Sequence, residues 1–250
     1  MRKINLEKVA KITNVDIWLK VAPPKGGEAQ WKDGYSAKEW AKFVIEHPED
    51  FSKLLQKVVK STIDYIPSSF TGEPEATTNL PPQGSSGPRE HDLLLYDNRI
   101  VIGIEAKVDE PFGNDKSIKQ EKESTSEDKP KYERINWLMS TILRGRQTDE
   151  KEVGDLKYQL FTATAGTLLE AARRGMEECI FLVLAFHPKY DTVNQANKKS
   201  FEDFVRTVCG ENKNSKKFQV NGNPIKCWFI EKDISITPQK FHIDDWESWR

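Results

Sequence analysis

Asp92, Glu105 and Lys107 are the residues of this chain whose types and spacing could do chemistry. Two carboxylates held close together repel unless something positive lies between them. Hard oxygen ligands of this kind suit Mg²⁺ or Mn²⁺. A lysine two residues beyond the second acid can steady a developing negative charge or position a water. These are the parts needed for metal-assisted hydrolysis of a phosphodiester. The bland alternative is an exposed cross-strand ion pair between Glu105 and Lys107, which is worth little.

The elements that must position them lie between His91 and Phe112. Leu93 to Tyr96 is an apolar run, Asp97-Asn98 has turn chemistry, and Arg99 to Val108 is rich in β-branched residues, which predicts two strands joined by a tight turn. Side chains alternate along a strand. Ile100, Ile102, Ile104, Ala106 and Val108 therefore face a core. Val101, Gly103, Glu105, Lys107 and Asp109 share the other face, with Gly103 leaving space beside the acid and Asp92 at the start of the neighbouring strand.

With Asp92, twelve intervening residues and then Glu105-Ala106-Lys107, the chain resembles the PD-(D/E)XK nuclease superfamily. His91 stands where that signature has proline. The resemblance implies an α/β fold with a restriction-endonuclease-like core: a helix, a three-stranded antiparallel meander, a helix and a strand, giving a central mixed β-sheet flanked by helices. It implies that Asp92, Glu105 and the Ala106 backbone carbonyl hold the metal while Lys107 assists the attacking water. A glutamine on the helix after the meander often orients water or phosphate in this superfamily, and Gln159 matches by type and element. A narrower likeness lies in GEPEA at 72–76, KVDEPFG at 107–113 and KYQLFTATAGTLLEAAR at 157–173. It is to bacterial members of the superfamily without assigned activity, and it adds Glu75 as a further candidate metal ligand.

The chain has 250 residues, enough for a sizeable core, with 37% hydrophobic and 31% charged residues. Its net charge of −1 argues against a dedicated nonspecific nucleic-acid binder, so any such surface must be a local patch. Three widely spaced cysteines, Cys179, Cys209 and Cys227, indicate neither a zinc site nor a disulfide framework. No apolar run reaches transmembrane length and the N-terminus lacks a signal-peptide core, which predicts a cytoplasmic protein without a membrane partner. No Walker loop, Rossmann glycine pattern, His-Glu-x-x-His or Gly-x-Ser-x-Gly is present, so kinase, dehydrogenase, zincin and hydrolase-elbow readings lack support.

The expected organisation is one domain over 1–250: a helical part at 1–66, the motif core at 67–190 and a strand/helix extension at 191–250. Residues 1–22 fit an edge strand or a short helix. Ser36-Ala37-Lys38-Glu39 has the capping-box pattern, and a second helix is predicted over Glu49 to Ile63. The proline- and glycine-rich stretch 67–90 predicts no long regular element, with a short strand near Ala76 to Leu80. Asn114 to Lys131, dense in charge, predicts a long mobile loop or disordered insert. Tyr132 to Leu143 has helical spacing and ends in Arg144 and Arg146, which favour a helix C-terminus and would make phosphate contacts. Leu156 to Arg174 is a helix, and Lys157 near its start is a further candidate phosphate contact. Cys179 to Phe186 is a buried central strand ending at His187, with turn chemistry favoured for that histidine. Lys226 to Ile230 is predicted as an edge strand, and Trp246 with Trp249 suggests docking onto the domain or contact within a homodimer.

Two functions follow. The first is a Mg²⁺- or Mn²⁺-dependent nuclease acting on nucleic acid, DNA in preference to RNA. The second is a non-catalytic nucleic-acid-binding or protein-assembly module that keeps the fold.

Overall fold

The computed structural model describes residues 3–6, 11–65, 67–82, 87–108, 110–188, 195–237 and 240–243. Asp109, Trp246 and Trp249 lie outside the described residues. Strand β1 (Lys3–Leu6) is followed by helices α1 (Val15–Val21), α2 (Ser36–Glu46) and α3 (Pro48–Thr62). Strands β2 (Ser69–Thr78), β3 (Arg89–Tyr96) and β4 (Ile100–Lys107) form the meander. Helices α4 (Ile118–Glu123), α5 (Pro130–Leu143), α6 (Lys151–Gly154) and α7 (Tyr158–Arg173) lead to strand β5 (Glu178–Pro188). Helix α8 (Gln195–Cys209) and strands β6 (Ser215–Val220), β7 (Asn223–Thr237) and β8 (Lys240–Ile243) complete the fold.

The described strands form one mixed sheet in the order β1-β2-β3-β4-β5-β7-β6, with β8 pairing β7. β2, β3 and β4 run antiparallel, whereas β4, β5 and β7 are parallel. The fold is thus α/β, a mixed sheet with helices on both faces. One core lies under α1–α3, where Trp40, Phe43, Phe51 and Phe186 pack edge to face and meet Ile100, Ile102, Ile104 and Ala106. The other lies under α5, α7 and α8 and takes the opposite faces of the same strands. β4 is buried along its whole length, as a strand covered on both sides must be.

Two glycines let α7 approach the sheet. A Cβ on Gly103 would stand 2.1 Å from Thr167 Oγ1, and one on Gly166 would stand 2.9 Å from the His91 ring. The space beside Glu105 expected at Gly103 is therefore filled by Thr167.

Other expectations are corrected here. The 67–90 stretch holds a ten-residue strand, β2, because Gly72 is needed where Leu6 and Leu95 close over it and Pro74 is tolerated next to the kink described below. The 114–131 stretch carries α4, closed by a Ser117–Gln120 capping box, with Ile118 buried. α2 begins at Ser36 with Tyr35 as N-cap, and Glu39 accepts from the Gly34 N–H at 2.9 Å instead of forming the expected box. The strand containing Lys226 to Ile230 is interior, since β6 turns back through Asn221-Gly222, both at positive φ, and covers its edge. Of the two alternatives for residues 1–22, the alternating stretch around Val15, Ile17 and Leu19 is the helix α1, and a separate strand, β1, precedes it. No described helix is long and apolar enough to cross a membrane.

Candidate active site

The site is built around a kink shared by β2 and β3. Phe70 faces the core under α1–α3, but Ala76, six residues on, faces the core under α7. The inversion falls at Glu75, which takes a left-handed conformation with φ 48°. Across from it the paired residues are Pro74 with Leu93 and Ala76 with His91, so Glu75 and Asp92 are level but drop out of the ladder. Beyond the kink, Arg89 and His91 turn toward α7, the side on which Glu105 lies.

The β3–β4 pairing stops at Leu93 and Ile104. One further step sets Asp92 across from Glu105, and there the Asp92 carboxylate accepts the Ala106 N–H at 2.6 Å. On an extended strand the N–H and C=O of one residue point to the same side, so the Ala106 carbonyl also faces the Asp92 edge. Glu105 is 2% exposed and Lys107 7%. Lys107 Nζ lies 2.9 Å from Glu105 Oε1, and Arg89 forms an ion pair with Glu105 Oε2. Gln159, in the first turn of α7, donates through Nε2 to Glu105 Oε1 at 2.5 Å. The Gln159 Oε1 is buried and has no hydrogen-bond partner among the described residues. Gly113, at φ 57°, brings the loop after β4 against the Gln159 side chain.

These contacts set the protonation of the cluster. Burial, and then the charge of Glu105, push the Asp92 carboxyl up to about 7. Burial also works against the Glu105 charge, but Arg89 and Lys107 outweigh it and hold that carboxyl below its usual value. Lys107 is raised because Glu105 and Asp92 overcome its own burial. His91 is pushed down to about 3 by burial and by Arg89. Its Nε2 lies 3.1 Å from Thr78 Oγ1, whose hydroxyl proton is committed to Glu170 at 3.1 Å. His91 is therefore neutral and donates through Nε2.

An ion at this place would rest on the Asp92 and Glu105 carboxylates and the Ala106 carbonyl. Among the described residues there is no group of three or more His, Cys, Asp or Glu side chains placed to hold a metal. The donor set is nonetheless all oxygen, which suits Mg²⁺ or Mn²⁺. The unused Gln159 oxygen and the strained Asp92/Glu105 pair both fit a cation with its water.

Of the residues singled out by sequence, Asp92, Glu105, Ala106, Lys107 and Gln159 come together. Glu75 lies level with Asp92 on the adjoining strand. Lys157 is occupied by Asp115, through its carboxylate at 2.5 Å and its carbonyl at 3.0 Å. Arg144 and Arg146 are not brought to the cluster. They line a pocket with Lys226, which is level with Glu178 and Ile100 at the amino end of the parallel strands. Glu105 is five residues further along, about 17 Å at ~3.3 Å per residue. His187 is not a turn residue: it lies within β5, one residue before its end, buried, with Nε2 3.0 Å from Asp233. Sequence reasoning missed Arg89 and the docking role of His91. Strict alternation assigns both to the wrong face, because β3 inverts at Asp92, level with the left-handed Glu75 of β2.

An α/β protein with an acidic pair, a lysine and a glutamine at the carboxyl end of a central strand is the class that fold and site define. The chain belongs to the family described as Domain of unknown function (DUF6946), whose profile matches residues 11–233. No curated protein and no solved structure matches it significantly.

Proposed function

We propose that this chain is a metal-dependent nuclease with a PD-(D/E)XK-type core, hydrolysing phosphodiester bonds of DNA in preference to RNA. The observation that carries the reading is the convergence of Asp92, Glu105, Lys107 and Gln159 on one buried cluster. The order of elements supports it, with α2 and α3 before the β2–β4 meander and α7 before β5, which lies parallel to β4.

Asp92, Glu105 and the Ala106 carbonyl would hold Mg²⁺ or Mn²⁺. When bound, the ion supplies an acidified water and neutralises charge at the scissile phosphate. Lys107, fixed by Glu105, presents a cation beside the attacking position. Gln159 uses its amide nitrogen on Glu105 and keeps an oxygen to accept from that water. Arg89 holds Glu105 in its charged form and must give up that ion pair for the carboxylate to turn to a metal.

Arg89 also favours a second reading, in which Glu105 is permanently neutralised and the fold serves as a non-catalytic nucleic-acid-binding or assembly module. Isothermal titration with Mn²⁺ on native protein and on Asp92→Asn separates the two. Ion binding that vanishes with Asp92→Asn, together with Mn²⁺-dependent cleavage of plasmid or single-stranded DNA that Lys107→Ala abolishes, is the expected result. Absence of both from the native protein removes the enzyme and leaves the module.

A further inference from the structure

Arg144 and Arg146, left without a role above, open onto a pocket of about 680 Å³ formed by the end of α5, the end of α8 and the start of β6 and β7. Its lining contains five basic residues, Arg144, Arg146, Lys216, Lys217 and Lys226, and no acidic one. In a chain with 38 bases and 39 acids, such one-signed lining is a local charge separation that folding alone does not reward.

The side chains divide by strand face. Lys216 shares its face with Phe218 and Val220, which belong to the core under α5 and α8, so its ammonium lies on the pocket side. It donates to the Ile142 carbonyl at 2.9 Å, which anchors it at the carboxyl end of α5. Lys217 and Lys226 are cross-strand partners on the other face, with Lys226 Nζ 3.9 Å over the Trp228 ring, so they flank the opening and add only to its field. Arg144 sits at φ 54° as the C-cap of α5, exposed, and has no acidic partner among the described residues. Arg146 is shared with Glu150 at 2.7 Å and Glu152 at 3.5 Å. Burial and then the neighbouring Arg144 push the Lys216 ammonium below its ordinary value, as expected of a cation held among like charges. With Arg146 largely offset, Lys216 and Arg144 supply two cations with no carboxylate partner among the described residues, and Lys217 and Lys226 add to them. That matches a phosphate dianion better than the single charge of a backbone diester. Thr207, Asn212 and Ser215 add neutral donors around it, and Leu143 with Val208 gives an apolar floor.

We propose that this pocket binds a terminal phosphate group, carried by a small phosphorylated molecule or by the 5′ end of a nucleic acid. The proposal stands apart from the nuclease reading, because the pocket lies at the far end of the sheet from Glu105.

The test is calorimetric titration of full-length protein with pyrophosphate in EDTA, together with fluorescence anisotropy of one oligonucleotide carrying either a 5′-phosphate or a 5′-hydroxyl. Native protein is expected to bind pyrophosphate, with affinity at least tenfold weaker in Lys216→Gln and in Arg144→Gln and unchanged in Asp92→Asn. Arg144 is exposed, so its variant folds whatever becomes of Lys216. Tighter binding of the 5′-phosphorylated oligonucleotide, reversed by pyrophosphate, identifies a nucleic-acid end as the source; equal binding of both oligonucleotides identifies a small molecule. No pyrophosphate binding at about 10 mM, or binding lost in Asp92→Asn but kept in both basic-residue variants, overturns the proposal.

Discussion

Two adjacent residues, His91 and Asp92, should oppose each other in the pH dependence of stability. Asp92 ordinarily titrates at 3.8 but is held at about 7 in the folded chain, so between those values the folded state binds the extra proton. Its contribution to stability is full below 3.8 and is lost as pH rises through 7. His91 ordinarily titrates at 6.5 but is held at about 3. There the unfolded state binds the extra proton, so its contribution is full above 6.5 and is lost as pH falls toward 3. Over the shared window, from pH ~4 to ~6.5, a fully shifted group changes stability by roughly 3 kcal/mol at ~1.4 kcal/mol per pH unit. His91 is buried and should approach that figure, while half-buried Asp92 should give about 2 kcal/mol after solvent screening. The two slopes largely cancel in the native protein. Asp92→Asn, which can still accept the Ala106 N–H, should expose the histidine and lose stability on acidification. His91→Gln, which can still donate to Thr78, should expose the aspartate and lose stability as pH rises from 4 to 6.5. Urea unfolding at half-unit pH intervals in EDTA reads both directly. Profiles of the two variants that run parallel to the native one would refute the shared electrostatics of the cluster.

Removing Arg89 should leave buried Glu105 with Lys107 as its remaining cation: Arg89→Ala is expected to cost about 3 kcal/mol without metal and, on the nuclease reading, to show a larger Mn²⁺-induced rise in melting temperature than native protein. An equal Mn²⁺ response in both would mean that arginine and metal do not compete. Gly103→Ala should destabilise by about 2 kcal/mol or more through its clash with Thr167, and Thr167→Ala should recover at least 1 kcal/mol of it in a double-mutant cycle; additive effects would place the clash elsewhere. On the nuclease reading, Gln159→Leu should lower the cleavage rate constant by about a hundredfold while leaving Asp92-dependent Mn²⁺ binding within about threefold, measured by single-turnover cleavage and calorimetry. Comparable loss of both would make Gln159 a support for the ligand set only.

The parts of the fold that were legible are those in which one physical signal dominates. β4 announces itself by strict alternation of Ile100, Ile102, Ile104 and Ala106, and β5 by its unbroken apolar run; both are buried as expected. β2 was hidden because Gly72 and Pro74 carry the composition of a loop, although Gly72 is required by the approach of Leu6 and Leu95. α4 was hidden because a short helix over a polar segment buries little, yet Ser117 and Gln120 stood in the sequence as its capping box. The Asn221-Gly222 pair between Val220 and Asn223 is the strongest short-range hairpin signal there is, and it places β6 over the edge of β7. In the site, Asp92, Glu105 and Lys107 were legible by spacing. Arg89 was not, since its face depends on the reversed backbone at Glu75, and a non-glycine residue gives no local sign that it will turn left-handed.

That reversal has a consequence for how the cluster can work. A regular β3 would send Arg89 to the core under α1–α3 and leave Asp92 and Glu105 facing each other with Lys107 as the lone cation. By turning at Glu75 and Asp92, the sheet supplies a second cation and removes Asp92 from the ladder, freeing its carboxylate to bind the Ala106 N–H. A folded chain without metal is thereby neutralised from within: Glu105 is charged between Arg89 and Lys107, and Asp92 takes up a proton near pH 7. Entry of a divalent ion would have to displace both that proton and the guanidinium, so on the nuclease reading ion affinity should rise with pH through 7. The buried Nε of Arg89 has no hydrogen-bond partner among the described residues, so a move of that side chain toward water recovers solvation that the ion pair forgoes. On the nuclease reading, Arg89 is a cation that would hold the place of the metal.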